Sequence, residues 1–181
     1  MQSVDLSSNF FALFDLPVSF DVDQKELVER YRSLQRTVHP DKFANAAESE
    51  RRLSMQMAAR INEGYQVLKD PLARGRYLLE LRGIELDDMS TAFDNTFLME
   101  QMELRERLGD VKDSSNPHQQ LKEITSDISA RAGEIVENMA SLFIENKVEA
   151  LNQARDLTRK LQFFRRLEEE AGVLEEELAD C

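Results

Sequence analysis

Apolar residues recur at every third or fourth position through most of this chain, and no other feature constrains its fold as strongly. Such spacing is typical of amphipathic α-helices that bury one face. Only 6 Gly and 4 Pro interrupt the 181 residues, too few for the many turns of an all-β protein. We therefore expect an all-α protein whose helices pack against one another through their apolar faces.

The N-terminal part of the pattern predicts a helical hairpin followed by one shorter helix. Asp23 is a good N-cap and Glu26 is placed to complete a capping box, while Pro40 ends the same helix. The next helix is expected at about residues 47–69, antiparallel to the first, and the shorter one at about 72–81. The apolar positions of the hairpin are Leu27, Tyr31, Leu34, Val38, Leu53, Met57, Ile61, Tyr65 and Leu68.

A short polar stretch at residues 84–91 is the best candidate for a linker between two domains. It separates an N-terminal domain, residues 1–83, from a C-terminal domain, residues 92–181. We expect the apolar end of the helix at 72–81 to dock the first domain against the second.

The C-terminal domain shows three further helical segments. The first is expected at about residues 94–108, the second opens at Pro117 behind an Asn116 cap, and the third starts near Asn146 and runs almost to the end. Short connections and one apolar stripe on each helix predict an antiparallel three-helix bundle.

The net charge of −12 lies entirely in the second half of the chain. Residues 1–84 hold 12 acidic and 12 basic side chains, whereas residues 85–181 hold 23 acidic and 11 basic ones. This balance argues against nucleic acid as a partner, because phosphate binding needs concentrated Lys and Arg. It favours a basic protein surface, although acidity that only keeps a helical domain in solution is the simpler interpretation of the charge count alone.

No pattern in the sequence predicts catalysis, a cofactor or a metal site. The two histidines, His39 and His118, fall in separate elements, and Cys181 is the one cysteine. Phosphate-binding loops, nucleophile elbows and His-x-x-x-His pairs are missing. So are an apolar run of ~20 residues and a signal peptide. We therefore expect a cytoplasmic protein that is not an enzyme and does not bind a membrane.

The tetrapeptide His39-Pro40-Asp41-Lys42 is the strongest functional signal. It lies between two amphipathic helices, and the helix before it carries Lys25, Arg32 and Arg36 on its polar face. It also lies 22 residues before the stretch Ile61-Asn62-Glu63-Gly64-Tyr65. Taken alone, the tripeptide could be only a turn between helices. In this context, residues 8–80 resemble the J-domain of the DnaJ family.

The resemblance to J-domains implies a partner and a contact surface. In that family the His-Pro-Asp loop and the basic face of the preceding helix contact a DnaK-class ATPase and stimulate its ATP hydrolysis. The implied contact residues are His39, Pro40 and Asp41, with the steering residues Arg32, Gln35, Arg36 and Lys42. A proline turn that holds an exposed carboxylate among cations fits an acidic partner surface.

The remainder of the chain resembles one branch of the J-proteins. It has no Gly/Phe-rich stretch and no repeated Cys-x-x-Cys module, and residues 97–106 and 159–164 look like the C-terminal helices of the HscB family. HscB proteins are J-type co-chaperones of iron–sulfur cluster assembly, in which a J-domain joins an acidic three-helix domain. The resemblance implies two partners, an HscA-like DnaK-class chaperone and an IscU-like scaffold protein.

A second apolar stripe on the helix at 94–108 suggests where a scaffold would bind. Phe97, Leu104 and Leu108 share the side that must face the bundle. Leu98, Met99 and Met102 lie about 100–200° away from that side around the helix axis. Phe163 is likewise off the stripe of its own helix. The candidate scaffold-binding residues are Leu98, Met99, Met102, Glu103, Glu106 and Phe163. The alternative, packing inside the protein, is about equally favoured for Met99 and Phe163.

Two other functions are consistent with the sequence. The chain could be a J-domain co-chaperone for a different dedicated client, or a helical adaptor with no ATPase partner. Stimulation of a DnaK-class ATPase would distinguish the adaptor from both co-chaperones, and binding by the C-terminal domain would distinguish the clients.

Overall fold

A computed structural model of the chain describes residues 8–43, 46–86 and 94–180, apart from the side chains of Pro40 and Asp41. All the regular secondary structure of the described residues is helical, which confirms the all-α prediction. The α-helices are α1 (Phe10–Leu13), α2 (Gln24–Val38), α3 (Glu48–Lys69), α4 (Pro71–Leu81), α5 (Asn95–Gly109), α6 (Pro117–Glu145) and α7 (Val148–Ala179). Short 3-10 turns lie at Pro40–Phe43 and Asp110–Asp113.

The start of α2 forms as predicted, but its capping box is only half made. The Asp23 carboxylate accepts hydrogen bonds from the backbone N–H groups of Lys25 at 2.8 Å and Glu26 at 3.1 Å. The bonds from Glu26 and then Lys25 hold the pKa of Asp23 below its ordinary value. Glu26 does not return the bond, because its carboxylate pairs with Arg30 at 3.2 Å.

The α2–α3 hairpin packs through most of the predicted apolar positions, with one exception. Leu27, Val38, Ile61 and Leu68 are fully or nearly buried. Leu53 is 45% exposed, so its placement in the core was wrong. It lies at the edge of a groove of about 1090 Å³ between α1, α2 and α3. The core does not close over this end of α3.

The other side of α3 receives α1, and a glycine permits the close approach. Phe10 and Phe14 are buried, and their ring atoms would lie 2.8 Å and 3.0 Å from a Cβ added at Gly64. Such distances leave no room for a side chain. The short apolar run before α2 therefore packs tightly against α3 of the hairpin. A hydrogen bond from the Phe10 N–H to the Tyr77 hydroxyl at 2.9 Å also holds it in place.

The C-terminal domain is the predicted bundle, built on the long pair α6 and α7. They are joined by a tight turn in which Asn146 adopts the left-handed conformation, with φ 52°, and donates its N–H to the Leu142 carbonyl at 3.1 Å. Asn116 occupies the N-cap position of α6, but its side chain makes no capping bond, contrary to the prediction. The core of the pair is formed by Leu121, Ile124, Ile128, Ile135, Met139, Leu151, Ala154, Leu161, Phe164, Leu167 and Ala171.

Helix α4 joins the two halves, as its apolar end predicted. Leu78 and Leu79 are fully buried, and a Cβ added at Gly75 would lie 2.5 Å from Cε of Met139 on α6. Arg76 donates to the Gln162 side chain on α7 at 3.2 Å. Helix α4 therefore packs directly on the α6–α7 pair.

The first residues of the predicted linker pack against the hydrophobic core. Ile84 and Leu86 are half-buried and pack against the core, so the first residues after α4 are not simply a polar connection. Residues 87–91 of the predicted linker lie outside the described residues. The domain limits at 83 and 92 stay a prediction.

Two candidate binding surfaces

The loop between α2 and α3 presents its polar residues to solvent. His39 ends α2 in an extended conformation, with φ −61° and ψ 133°, as expected for a residue before proline. The Lys42 N–H donates to the His39 carbonyl at 3.0 Å and closes the 3-10 turn. His39 and Lys42 are exposed. The side chains of Pro40 and Asp41 lie outside the described part of the chain.

The polar face of α2 carries exposed cations beside that loop. Arg32, Arg36 and Lys42 are exposed and form no ion pair with any described residue. Arg30, by contrast, is neutralised by Asp15 at 3.0 Å and by Glu26 at 3.2 Å. We name Arg32, Arg36 and Lys42 the cationic face. Its unpaired charge would attract an acidic partner surface.

Gln35 differs from the other residues implied by the resemblance. It is half-buried, and its side-chain amide donates to the Tyr31 hydroxyl at 2.6 Å and to Asn62 Oδ1 at 2.9 Å. Its amide nitrogen is therefore committed within the hairpin and does not face solvent as a steering group. Asn62 lies in the stretch 61–65 that carries the resemblance to J-domains, but no sequence signal pointed to its pairing with Gln35.

Helix α5 exposes the predicted second apolar stripe. Phe97 and Leu104 are buried toward the bundle, whereas Leu98 is 38%, Met99 72% and Met102 73% exposed. We name Leu98, Met99 and Met102 the α5 ridge. The question left open for Met99 is thus answered in favour of exposure. Exposed methionines suit an adaptable apolar contact.

Phe163 does not belong to this ridge, and the question left open for it is answered in favour of packing inside the protein. It is 8% exposed, and its ring packs edge-on against Phe97 at 5.6 Å and Phe164 at 5.5 Å between centroids. The guanidinium of Arg105, on α5, lies 5.4 Å from the centroid of the Phe163 ring. Phe163 is buried because α5 crosses α7 here, which gives α7 a wider apolar face than a single stripe.

Two carboxylates lie beside the ridge, and no described residue forms an ion pair with them. Glu103 and Glu106 lie four residues after Met99 and Met102, so each neighbours a methionine on the helix surface. Both are exposed and form no ion pair with a described residue. Glu100, by contrast, pairs with Arg131 of α6. The ridge is thus an apolar strip beside uncompensated negative charge, which fits a partner that is apolar and basic.

The base of α5 is tied to the bundle by a charged cap. The Asp94 carboxylate accepts from the Phe97 N–H at 2.8 Å and from Lys160 Nζ at 2.7 Å. The bond from Lys160, followed by that from Phe97, holds the pKa of Asp94 below its ordinary value. Phe97 is therefore anchored at both its backbone and its ring, and this sets the side that α5 turns outward.

Within residues 8–43, 46–86 and 94–180, no group of three or more His, Cys, Asp or Glu side chains is placed to hold a metal ion.

Among those same residues, no helix combines the length and the apolar character needed to cross a membrane.

A helical hairpin with His-Pro-Asp at its connecting loop and cations on the helix before it defines a J-domain protein. The family model of the DnaJ domain matches residues 14–77, and the model described as the HSCB C-terminal oligomerisation domain matches residues 93–172. Both halves of the chain are thus matched by a family model.

Whole-chain relatives agree with these matches. A co-chaperone protein HscB homolog of Shewanella baltica (strain OS195) is 42% identical over 173 residues, which is 95% of this chain and 99% of that protein. A co-chaperone protein HscB homolog of Shewanella woodyi is 43% identical over 94% of this chain and 98% of its own. The chain belongs to the HscB family and is a J-type co-chaperone of iron–sulfur assembly.

Solved structures show the same architecture. The chaperone HscB from Vibrio cholerae superposes with a TM-score of 0.85 at 38% identity, covering 94% of this chain and 99% of that one. The crystal structure of human co-chaperone protein HscB gives a TM-score of 0.87 at 33% identity, covering 97% of this chain and 86% of that one. The arrangement of hairpin and bundle described above is therefore the family's fold.

Proposed function

We propose that this protein binds an IscU-like iron–sulfur scaffold protein, delivers it to an HscA-like DnaK-class chaperone and stimulates the ATPase of that chaperone. The contact with the chaperone is made by His39, Pro40 and Asp41 together with the cationic face, and the contact with the scaffold by the α5 ridge with Glu103 and Glu106. A single cysteine fits a reducing compartment, and we propose that the protein acts in the cytoplasm.

The observation that carries this proposal is the presence of two exposed surfaces of different chemistry on one chain. The cationic face carries positive charge that no described residue pairs, and it has no large apolar group among its members. The α5 ridge has two methionines more than 70% exposed beside carboxylates that no described residue pairs. Surfaces of opposite charge would attract different partners, so one molecule could hold both at once.

The two surfaces would contribute differently to the activity. The cationic face would mainly accelerate encounter with an acidic chaperone surface, because exposed charges act on association rates more than on final affinity. The His-Pro-Asp loop would stimulate hydrolysis by binding more tightly to the conformation of the chaperone that hydrolyses ATP. A ligand shifts a conformational equilibrium only by its difference in affinity for the two states.

The test is single-turnover ATP hydrolysis by a DnaK-class chaperone of the HscA type, with and without this protein. We expect the wild type to accelerate hydrolysis, and Asp41→Asn or His39→Gln to abolish the acceleration while the far-UV circular dichroism spectrum stays unchanged. Asp113→Asn is the matched control, because Asp113 is an exposed carboxylate in the other 3-10 turn. Full stimulation by Asp41→Asn would contradict the role of the loop, and no stimulation by wild type would favour the adaptor.

A further inference from the structure

Three side chains of the hairpin close a cycle of hydrogen bonds between α2 and α3. The Tyr31 hydroxyl donates to Asn62 Oδ1 at 2.9 Å. The Gln35 amide nitrogen donates to the Tyr31 oxygen at 2.6 Å and to Asn62 Oδ1 at 2.9 Å. Asn62 Oδ1 therefore accepts from both of the other side chains, one bond for each of its lone pairs.

The cycle is anchored by a ring stack below it. The Tyr31 ring lies 4.1 Å from the Tyr65 ring with 20° between their planes. Because the stack holds Tyr31, its hydroxyl has one position from which to serve Gln35 and Asn62. Stacked rings of this kind contribute beyond the area that they bury. The three polar side chains are thus ordered before any partner arrives.

This order leaves one atom of Gln35 available. Its amide nitrogen makes both of its hydrogen bonds inside the hairpin, whereas its carbonyl oxygen Oε1 accepts no hydrogen bond from a described residue. Oε1 is not fully buried either. It therefore keeps contact with solvent. Rotating the Gln35 amide alone would set Oε1 against Asn62 Oδ1, two acceptors facing each other, so the cycle holds Oε1 outward.

The open oxygen lies in the middle of the surface assigned to the chaperone. On a helix, residues three and four positions apart are direct neighbours, and Gln35 has Arg32 three residues before it and His39 four residues after it. Gln35 Oε1 is therefore an acceptor flanked by an exposed cation and by the first residue of the His-Pro-Asp loop.

We propose that Asn62 is a positioning residue for chaperone binding. Acting through Gln35, it holds a hydrogen-bond acceptor at a fixed place between Arg32 and His39. The partner group that fits is a hydrogen-bond donor within an otherwise acidic surface of the ATPase. A preordered acceptor binds more tightly than a mobile one, because less side-chain freedom is lost on association. This inference rests on the proposed function.

The first part of the test is a double-mutant cycle in the full-length protein. The concentration that gives half-maximal ATPase stimulation is measured for wild type, Asn62→Leu, Gln35→Leu and the double variant. We expect each single change to raise it about three- to tenfold, the range that the loss of one neutral hydrogen bond gives. We expect the double variant to be no worse than Gln35→Leu alone, because Asn62 acts only through Gln35.

The second part needs no partner. In the isolated protein, hydrogen exchange of the Gln35 side-chain amide, followed by NMR, should be faster in Asn62→Leu than in wild type. Gln66→Leu is the matched control, since Gln66 is an exposed amide one turn further along α3. It should change neither the amide exchange nor the stimulation.

The outcomes separate this inference from the proposed function. If wild type stimulates and Asp41→Asn does not, the proposed function holds. Unchanged stimulation by Asn62→Leu, additive losses in the double variant, or an unaltered Gln35 amide would then overturn the positioning role alone. If wild type fails to stimulate at all, both are overturned.

Discussion

Replacing Leu98, Met99 and Met102 together with Ser should weaken scaffold binding by at least about 100-fold. Burying an exposed apolar side chain of this size contributes about 1.5–3 kcal/mol. Met99 is 72% and Met102 73% exposed, so burial of either side chain by a partner would contribute about 1–2 kcal/mol to binding. Leu98 is 38% exposed and adds roughly 0.6–1 kcal/mol. The total, about 2.6–5 kcal/mol, corresponds to roughly two to nearly four factors of ten in Kd.

The assay is calorimetric titration of each variant with an IscU-like scaffold, beside a urea unfolding curve of the variant alone. Met99→Ser and Met55→Ser form a matched pair, because Met55 on α3 is 69% exposed but lies outside the α5 ridge. Met99→Ser should raise Kd by about 5- to 30-fold, and Met55→Ser should leave it unchanged. Neither should shift the unfolding midpoint much, since both side chains already lie mostly in water.

Three results would refute this reasoning. Normal scaffold binding by the triple variant would show that the ridge is not the contact. Equal losses for Met55→Ser and Met99→Ser would show that general surface hydrophobicity, not a defined ridge, drives association. Unfolding of the triple variant would show that the three side chains stabilise the fold, contrary to their exposure.

Two predictions concern stability. Gly64→Ala should have a free energy of unfolding about 1–2 kcal/mol lower than that of Gly75→Ala, and so a lower urea midpoint. At Gly64 the new methyl meets rigid buried rings, whereas at Gly75 it meets the flexible end of Met139. Equal midpoints would contradict this. Asp94→Ala should be less stable than wild type at neutral pH. The folded pKa of Asp94 is lowered chiefly by Lys160, so this difference should close as pH falls below 3.8, and a difference independent of pH would count against it.

Helical spacing predicted most of the fold because each helix buries a face that its own sequence marks. It placed α2 to within a residue of its observed limits, since Asp23 and Pro40 are local signals. It failed at Leu53, where the spacing is helical but the partner helix leaves a groove. It left Phe163 undecided, and that ring is buried by a helix about 65 residues earlier in the chain. Periodicity reports which face is apolar, not how far the neighbouring helices extend over it.

The exposed apolar surface was also predictable from helical spacing, because an apolar face that cannot turn toward the bundle stays exposed. Met99 and Met102 stood out because α5 has apolar residues on two sides, and one helix can turn only one side to a bundle. The hydrogen-bond cycle at Asn62 had no such signal, because its members are ordinary polar and aromatic residues 27 and 31 positions apart in sequence. Contacts of that kind depend on the exact pairing of two helices, which spacing alone does not specify.

The two proposed surfaces lie on parts of the molecule that α4 holds together from both sides. Arg74 is buried, donates to the Leu68 carbonyl of α3 and lies 4.9 Å from the centroid of the Phe20 ring. On the opposite side, Arg165 of α7 reaches the Asp70 carboxylate, the cap of α4, at 2.7 Å. Burial lowers the pKa of Arg74, and a buried charge that loses its partners is costly.

Rotating the hairpin away from α4 would take the Leu68 carbonyl from the buried Arg74. Rotating the hairpin and α4 together away from the bundle would break the Arg165–Asp70 ion pair and the packing of α4 on Met139. The two halves should therefore move as one body, with the His39 loop and the α5 ridge at a constant separation. A scaffold bound at the ridge would then be presented to the chaperone at a defined distance. Its second contact would form at a high effective concentration, without a new encounter from solution.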